Sequence, residues 1–121
     1  MAKRILVVDD ETEICDIIKI FLTKKGFEVL AVQCGEDAMA LLAKETVDLL
    51  ILDKKMPGIG GLGVFWELKK VGRHIPAIIM TGSRRMPGYE EDYQKMGYAD
   101  LLYKPVSLDE LLESINKVIG D

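Results

Sequence analysis

The chain has 121 residues, a length that suits one domain with a sizeable core. Hydrophobic residues make up 49% of it and charged residues 30%, which excludes an intrinsically disordered protein. The net charge of −4 argues against nucleic acid or an anionic membrane surface as the main partner. No apolar stretch reaches the length of a membrane span or of a signal-peptide core. We therefore expect one cytoplasmic domain over residues 1–121.

Patterns typical of strands and of helices alternate along the chain. Apolar runs predict five strands, at residues 3–8, 27–32, 47–52, 77–80 and 99–103. Helical spacing predicts helices at residues 11–25 and 36–44, a third ending near residues 71–72, a short one at 89–96, and a last one after Ser107. The first of these is expected to bury Ile14, Ile17, Ile18, Phe21 and Leu22. Ser107 with Glu110 three residues later predicts a capping box for the last helix.

This order of elements predicts the fold class. Strands that alternate with helices through short connections form a doubly wound α/β domain, here a five-stranded parallel sheet of (βα)5 type. Right-handed crossovers place helices on both faces of the sheet. The third predicted strand is apolar on both faces except at Asp48, as a central strand should be.

Three acidic residues follow two of the predicted strands. Asp9 and Asp10 come directly after the first strand, and Asp53 after the third. Carboxyl ends of parallel strands share one edge, where open α/β sheets bind ligands. Carboxylates about 5 Å apart repel by roughly 3 kcal/mol at an effective dielectric of 20. A hard cation such as Mg²⁺, or protonation of one acid, would relieve this repulsion. Each acid alone could instead be a helix cap or a turn residue.

A hydroxyl and an ammonium occupy equivalent places on the next two strands. Thr81 follows the fourth strand and Lys104 the fifth. Alone, Thr81 could be a turn residue and Lys104 a solvated lysine. With the acids they form a set suited to receiving a phosphoryl group on an oxygen nucleophile, because a cation and fixed donors neutralise the transferring oxygens. The residues themselves do not decide which of the three acids is the nucleophile.

These residues, in this order, resemble the receiver domain of bacterial two-component response regulators over essentially the whole chain. The similarity rests on Asp9-Asp10, on Asp53 followed by Lys54-Lys55-Met56-Pro57-Gly58, on Thr81-Gly82 and on Lys104-Pro105. It implies a flavodoxin-like receiver fold and a signalling domain rather than an enzyme. It further implies that Asp53 accepts a phosphoryl group from the phosphohistidine of a histidine kinase or a phosphotransfer protein.

The resemblance also implies roles for the other residues. Mg²⁺ would be held by Asp9, Asp10, the Asp53 carboxylate and the backbone carbonyl of Lys55. Thr81 and Lys104 would contact the phosphoryl oxygens, and the peptide bond between Lys104 and Pro105 would be cis. Phosphorylation would switch a surface made by the fourth predicted helix, the fifth strand and the last helix, which would then bind a downstream protein target.

Some positions depart from the family pattern. The position three before the lysine is usually aromatic and here is Leu101. Strand alternation puts Tyr103 on the same face, so we hypothesise that Tyr103 partly replaces the missing aromatic; it could also simply pack beside the last helix. Lys55 and Ser83 border the expected site and would tune the lifetime of the phosphoaspartate. The pair Arg84-Arg85 could contribute to docking a partner.

Two alternative functions use similar residues. A phosphatase of the haloacid-dehalogenase type also has an aspartate nucleophile and Mg²⁺, but it carries a second acid where this chain has Lys55. A flavin- or nucleotide-binding module would need a phosphate cradle after the first strand, where Asp9-Asp10 stand. Cys15 and Cys34 are far apart and match no metal-binding spacing, which favours reduced thiols in the cytosol.

Overall fold

The computed structural model describes residues 2–54, 60–82 and 97–120. The strands within them are β1 (Arg4–Val8), β2 (Glu28–Val32), β3 (Leu49–Asp53), β4 (Ala77–Thr81) and β5 (Asp100–Tyr103). The helices within them are α1 (Thr12–Lys24), α2 (Gly35–Leu42), α3 (Gly60–Lys70) and α4 (Leu108–Ile119). The helix predicted at residues 89–96 lies outside the described residues, as do Lys55, Ser83, Arg84 and Arg85. No helix in the described ranges is both long enough and apolar enough to span a bilayer.

All five strands are parallel and lie in the order β2-β1-β3-β4-β5. Chain order reverses between β1 and β3, which places the ligand-binding crevice of this sheet class at their carboxyl ends. The register pairs Val8 with Leu52, Asp53 with Met80, and Thr81 with Tyr103. The predicted doubly wound parallel sheet is therefore confirmed.

Alternate residues of the central strands point to opposite faces of the sheet and pack into two separate apolar layers, one on each face. The layer under α1 and α4 contains Ile5, Val7, Leu49, Ile51, Ile78, Met80, Cys15, Ile18, Leu22, Leu111 and Ile115. The layer under α2 and α3 contains Leu6, Val8, Leu50, Leu52, Ala77, Ile79, Ala38, Leu42, Val64, Phe65 and Leu68. This two-sided burial explains why β1, β3 and β4 are almost continuously apolar.

Two predicted details of these elements are wrong. β3 runs from Leu49 to Asp53 rather than over residues 47–52, because Asp53 still pairs with Met80 and the Lys54 N–H donates to the Met80 carbonyl at 2.8 Å. In α1, Ile17 is 54% exposed although the apolar spacing assigned it to the core. The helix is rotated so that Cys15 faces inward instead, with Ile18 and Leu22 on the same stripe.

The last helix begins where its cap was predicted. The Ser107 hydroxyl accepts a hydrogen bond from the Glu110 N–H at 3.0 Å. A half-buried hydrogen bond joins α4 to β5, since the Ser114 hydroxyl donates to the Asp100 carboxylate at 2.6 Å. These bonds fix the connection between β5 and α4, which begins with Lys104.

Candidate functional site

Three carboxylates meet at the carboxyl edge of β1 and β3. Asp9 and Asp10 follow β1 and Asp53 ends β3, and one oxygen from each lies within 4.8 Å of the others. Asp9 is fully buried, Asp53 is 5% exposed and Asp10 is exposed. The edge therefore collects the acids as the parallel sheet predicts.

Several hydrogen bonds hold Asp9 in place. Its Oδ1 accepts a hydrogen bond from the Glu11 N–H at 2.9 Å, and its own N–H donates to the Val32 carbonyl at 3.2 Å. The Cys15 thiol donates to the Asp9 carbonyl oxygen at 3.3 Å. The interpretation of Asp9 or Asp10 as a helix cap is wrong, because the N-cap of α1 is Glu11 and no side chain caps that helix end. The loop thus fixes one oxygen of Asp9 and leaves Oδ2 facing the site.

Lys104 bridges the two buried acids. Its Nζ lies 3.3 Å from Asp9 Oδ2 and 3.3 Å from Asp53 Oδ2, with the exposed Glu11 at 3.7 Å. Burial lowers the pKa of Lys104, but the charges of Asp9 and Asp53 outweigh this and raise the pKa above its ordinary value. The ammonium is therefore charged at neutral pH and offsets part of the repulsion between the carboxylates.

Thr81 completes the same edge from β4. It is the last residue of that strand and is 3% exposed. The Lys104 N–H donates to the Thr81 carbonyl oxygen at 2.7 Å, so the two residues are joined through the backbone. The peptide bond between Lys104 and Pro105 is cis, as expected. The structure thus brings Asp9, Asp10, Asp53, Thr81 and Lys104 to one edge of the sheet.

The donor set fits a magnesium ion. Three carboxylates and one lysine leave the cluster negatively charged, and two of the acids are buried. Mg²⁺ prefers a few carboxylate oxygens and keeps several waters, which suits a cluster that is open to solvent at Asp10. The predicted fourth protein ligand, the carbonyl of Lys55, lies outside the described residues.

Most of the chain matches one known protein family. Residues 5–116 match the family described as the response regulator receiver domain. The chain belongs to this family. Receiver domains act in two-component signalling and interact with histidine kinases or phosphotransfer proteins. This assignment favours a receiver domain over the phosphatase and flavin-binding alternatives.

Relatives of this receiver domain include a much longer protein and one of similar length. It is 33% identical over 116 residues to the transcriptional regulatory protein ZraR of Salmonella typhimurium, covering 96% of this chain but 26% of that protein. It is 29% identical over 119 residues to the sporulation initiation phosphotransferase F of Bacillus subtilis, covering 98% of this chain and 95% of the relative. The chain therefore spans about a quarter of the first relative and nearly all of the second.

Solved structures show the same architecture. The receiver domain of the Francisella response regulator 1452 superposes with a TM-score of 0.87 at 28% identity, covering 96% of this chain and 95% of that one. The response regulator TrrA of Thermotoga maritima, solved in complex with Mg²⁺-BeF, superposes with a TM-score of 0.81 at 35% identity, covering 97% and 99%.

Two residues that support the site were not predicted from the sequence. Cys15 and Glu11 contact Asp9 or Lys104, and neither belongs to a motif. The position of Glu11 beside two acids was the available signal for it, whereas nothing local marks Cys15. Leu101 packs against the layer under α2 and α3, and Tyr103 lies half-buried opposite Thr81. The hypothesis that Tyr103 takes part in signalling stays a prediction.

Proposed function

We propose that this receiver domain is a Mg²⁺-dependent phosphoryl acceptor that uses Asp53 to receive the group from a phosphohistidine on a histidine kinase or phosphotransfer protein. The observation that carries the proposal is the cluster of Asp9, Asp10 and Asp53 within 4.8 Å, with Lys104 Nζ 3.3 Å from Asp53. The domain is itself the modified product, so we class it as a signalling domain rather than an enzyme, acting in the cytoplasm where such kinases present their phosphohistidine.

The strand order supports Asp53 as the acceptor among the three acids. β3 lies between β1, which presents Asp9 and Asp10, and β4 and β5, which present Thr81 and Lys104. A phosphoryl group on Asp53 would therefore meet the acids that bind the cation on one side and the hydroxyl and ammonium on the other. Asp9 is less suitable because it is fully buried and its Oδ1 is occupied by the Glu11 N–H.

The transfer itself needs little chemistry from the protein. A carboxylate oxygen of Asp53 forms a bond to phosphorus while the bond from phosphorus to the donor imidazole nitrogen breaks, and the electron pair stays on the imidazole. Lys104 and the Thr81 hydroxyl would donate to the phosphoryl oxygens as charge develops on them. Mg²⁺, when bound by Asp9, Asp10 and Asp53, would supply further neutralisation of that charge.

The same contacts offer a route for switching. A phosphoryl group adds up to about two negative charges and three acceptor oxygens, which would compete with Asp9 for Lys104. Because the Lys104 N–H is bonded to the Thr81 carbonyl, a change at either residue affects the ends of both β4 and β5. We propose that this shifts a pre-existing equilibrium and alters the surface of β5, α4 and the fourth predicted helix for a downstream protein.

Metal removal tests the proposed function directly. Incubation with acetyl phosphate and Mg²⁺ should add the mass of one phosphoryl group to the intact chain, because the small donor bypasses any kinase. With EDTA in place of Mg²⁺ the rate should fall at least about tenfold. Equal rates with and without the metal would contradict the role of Mg²⁺, and no adduct under any condition would contradict the acceptor function. Sustained turnover of a phosphomonoester would instead support the phosphatase alternative.

A groove beside the site suits the protein that delivers the phosphoryl group. A cavity of about 490 Å³ lies between α1 and the connection from β5 to α4, with Lys104 at its wall. Its other lining residues are mostly apolar and include Ile14, Ile17, Pro105, Val106 and Leu108. A donor protein must bring its phosphohistidine to Asp53, so its contact surface has to adjoin this edge. We propose that the donor protein covers the groove and the exposed Ile17 and Ile20 of α1.

Ile17→Glu should slow phosphoryl transfer from a protein donor but not from a small-molecule donor. The donor is a phosphorylated histidine kinase that labels the native chain. A charge on the docking surface should slow phosphoryl transfer from this kinase by about tenfold or more. Labelling by acetyl phosphate should stay within about twofold, since Ile17 contributes no group to the transfer itself. Val71→Glu is the matched control, because Val71 is 68% exposed and follows α3 rather than lining the groove. Equal effects of both variants would exclude α1 as the docking surface.

A further inference from the structure

Gly61 packs against the backbone of the proposed acceptor more closely than any side chain would allow. It lies buried in the first turn of α3, against the end of β3. A Cβ at this position would lie 2.1 Å from the Asp53 carbonyl oxygen and 2.9 Å from its carbonyl carbon. Carbon and oxygen atoms in contact are normally about 3.3–3.6 Å apart. Since both crowded atoms are backbone, a methyl group would force α3 or the end of β3 to move.

The neighbouring glycine is needed for a different reason. Gly60 has a φ of +73°, a left-handed conformation that side chains rarely adopt, but its Cβ would lie 3.9 Å from the Lys54 carbonyl oxygen, an ordinary contact. Substitution of Gly60 therefore strains the start of α3 without pressing on Asp53. A substitution of Gly60 therefore tests the effect of backbone strain, whereas a substitution of Gly61 tests the effect of contact with the Asp53 backbone.

We propose that Gly61 is a positioning residue for the Asp53 carboxylate. The proposal rests on the function proposed above for Asp53. β1 and β4 hold the end of β3 in the plane of the sheet, through the pairing of Leu52 with Val8 and the bond from the Lys54 N–H to the Met80 carbonyl. The first turn of α3 closes against the Asp53 carbonyl from outside that plane, which is possible because Gly61 has no Cβ.

The position of the Asp53 carboxylate depends on this backbone contact. Asp53 Oδ2 lies 3.3 Å from Lys104 Nζ, near the upper limit for an N–H···O bond, so a displacement of the backbone by about 1 Å would break that contact. The same displacement would alter the separation of the Asp53 oxygen from those of Asp9 and Asp10. Misplacement of a reacting group by about 1 Å can cost on the order of a hundredfold in rate.

The test compares Gly61→Ala with Gly60→Ala. We expect Gly61→Ala to slow labelling by acetyl phosphate and Mg²⁺ by about tenfold or more, and to weaken the affinity for Mg²⁺ alone, measured by calorimetric titration, by about fivefold. Gly60→Ala should change both quantities by less than about twofold although it also destabilises the fold. If acetyl phosphate labels the two variants at the same rate and both bind Mg²⁺ equally well, positioning by Gly61 is excluded. The function proposed for Asp53 would not be affected by that result.

A measurement on the native chain covers the case in which Gly61→Ala does not fold. Titration with Mg²⁺ should shift the NMR signals of Gly61 and of the Lys54 amide with one common midpoint, because the contact joins them. A Gly61 signal that does not respond to Mg²⁺ would overturn the proposal. A native chain that takes up no phosphoryl group would instead overturn the function on which it rests.

Discussion

Asp53→Asn should reduce the rate of Mg²⁺-dependent labelling by acetyl phosphate by at least about a thousandfold, because the amide that replaces the carboxylate is a very weak nucleophile. The measurement is a time course of intact mass at fixed donor and metal concentrations. Asp16→Asn is the matched control, since it makes the same change in charge at an exposed position of α1. Labelling of the Asp53 variant at the native rate would place the acceptor at another residue.

The same substitution should make the metal-free protein more stable. In the native chain Asp53 is repelled by Asp9 and Asp10, each by about 3 kcal/mol at an effective dielectric of 20, and attracted to Lys104 by about 5 kcal/mol. Burial of the charged carboxylate adds a desolvation cost of several kcal/mol that asparagine avoids in large part. We therefore expect the free energy of unfolding in EDTA, from urea denaturation, to rise by at least about 1 kcal/mol. A lower value would show that the Lys104 contact dominates the cluster.

Lys104→Met should have the opposite effect on stability. It removes the cation that lies 3.3 Å from both Asp9 and Asp53 and leaves two buried carboxylates facing each other. Breaking a buried ion pair from one side costs about 3–5 kcal/mol, and partial exposure of Lys104 reduces this here to about 2–4 kcal/mol in EDTA. Saturating Mg²⁺ should recover much of the loss, because the metal replaces the missing positive charge.

An exposed lysine provides the control for Lys104→Met. Lys70 is 72% exposed and pairs with Glu67 at 3.3 Å on the surface of α3. Lys70→Met should change the free energy of unfolding by less than about 0.5 kcal/mol, with or without Mg²⁺. If Lys104→Met behaves like Lys70→Met, or if Mg²⁺ restores none of its stability, the electrostatic description of the cluster is wrong.

The sequence predicts the fold, and it predicts which residues meet at the site, because both depend on simple periodicities. Apolar runs separated by helical patterns imply a parallel sheet, and a parallel sheet brings the carboxyl ends of its strands to one edge. Asp9, Asp53, Thr81 and Lys104 were predictable as neighbours for that reason, although they lie far apart along the chain.

Features that depend on distances between elements could not be predicted. Apolar residues surround most of α1, so spacing alone did not decide whether Cys15 or Ile17 would face the core; packing against the sheet decides it. The extension of β3 to Asp53 comes from its pairing with Met80 on the next strand. The close approach of Gly61 to the Asp53 carbonyl has no local signal, because a glycine at the start of a helix serves many purposes.

The separation of the two apolar layers by the sheet has an evolutionary consequence. The proposed acceptor, Asp53, lies at the end of a strand enclosed on both faces, whereas the outer surfaces of α1 and α3 carry exposed residues such as Ile17, Ile20 and Trp66. Mutations on those surfaces leave the interior intact, so duplicated copies of such a domain can diverge in the proteins they recognise. Single substitutions on the surface can therefore reduce binding between one copy and the partners of another. The residues at the carboxyl edge of the sheet need not change in either copy.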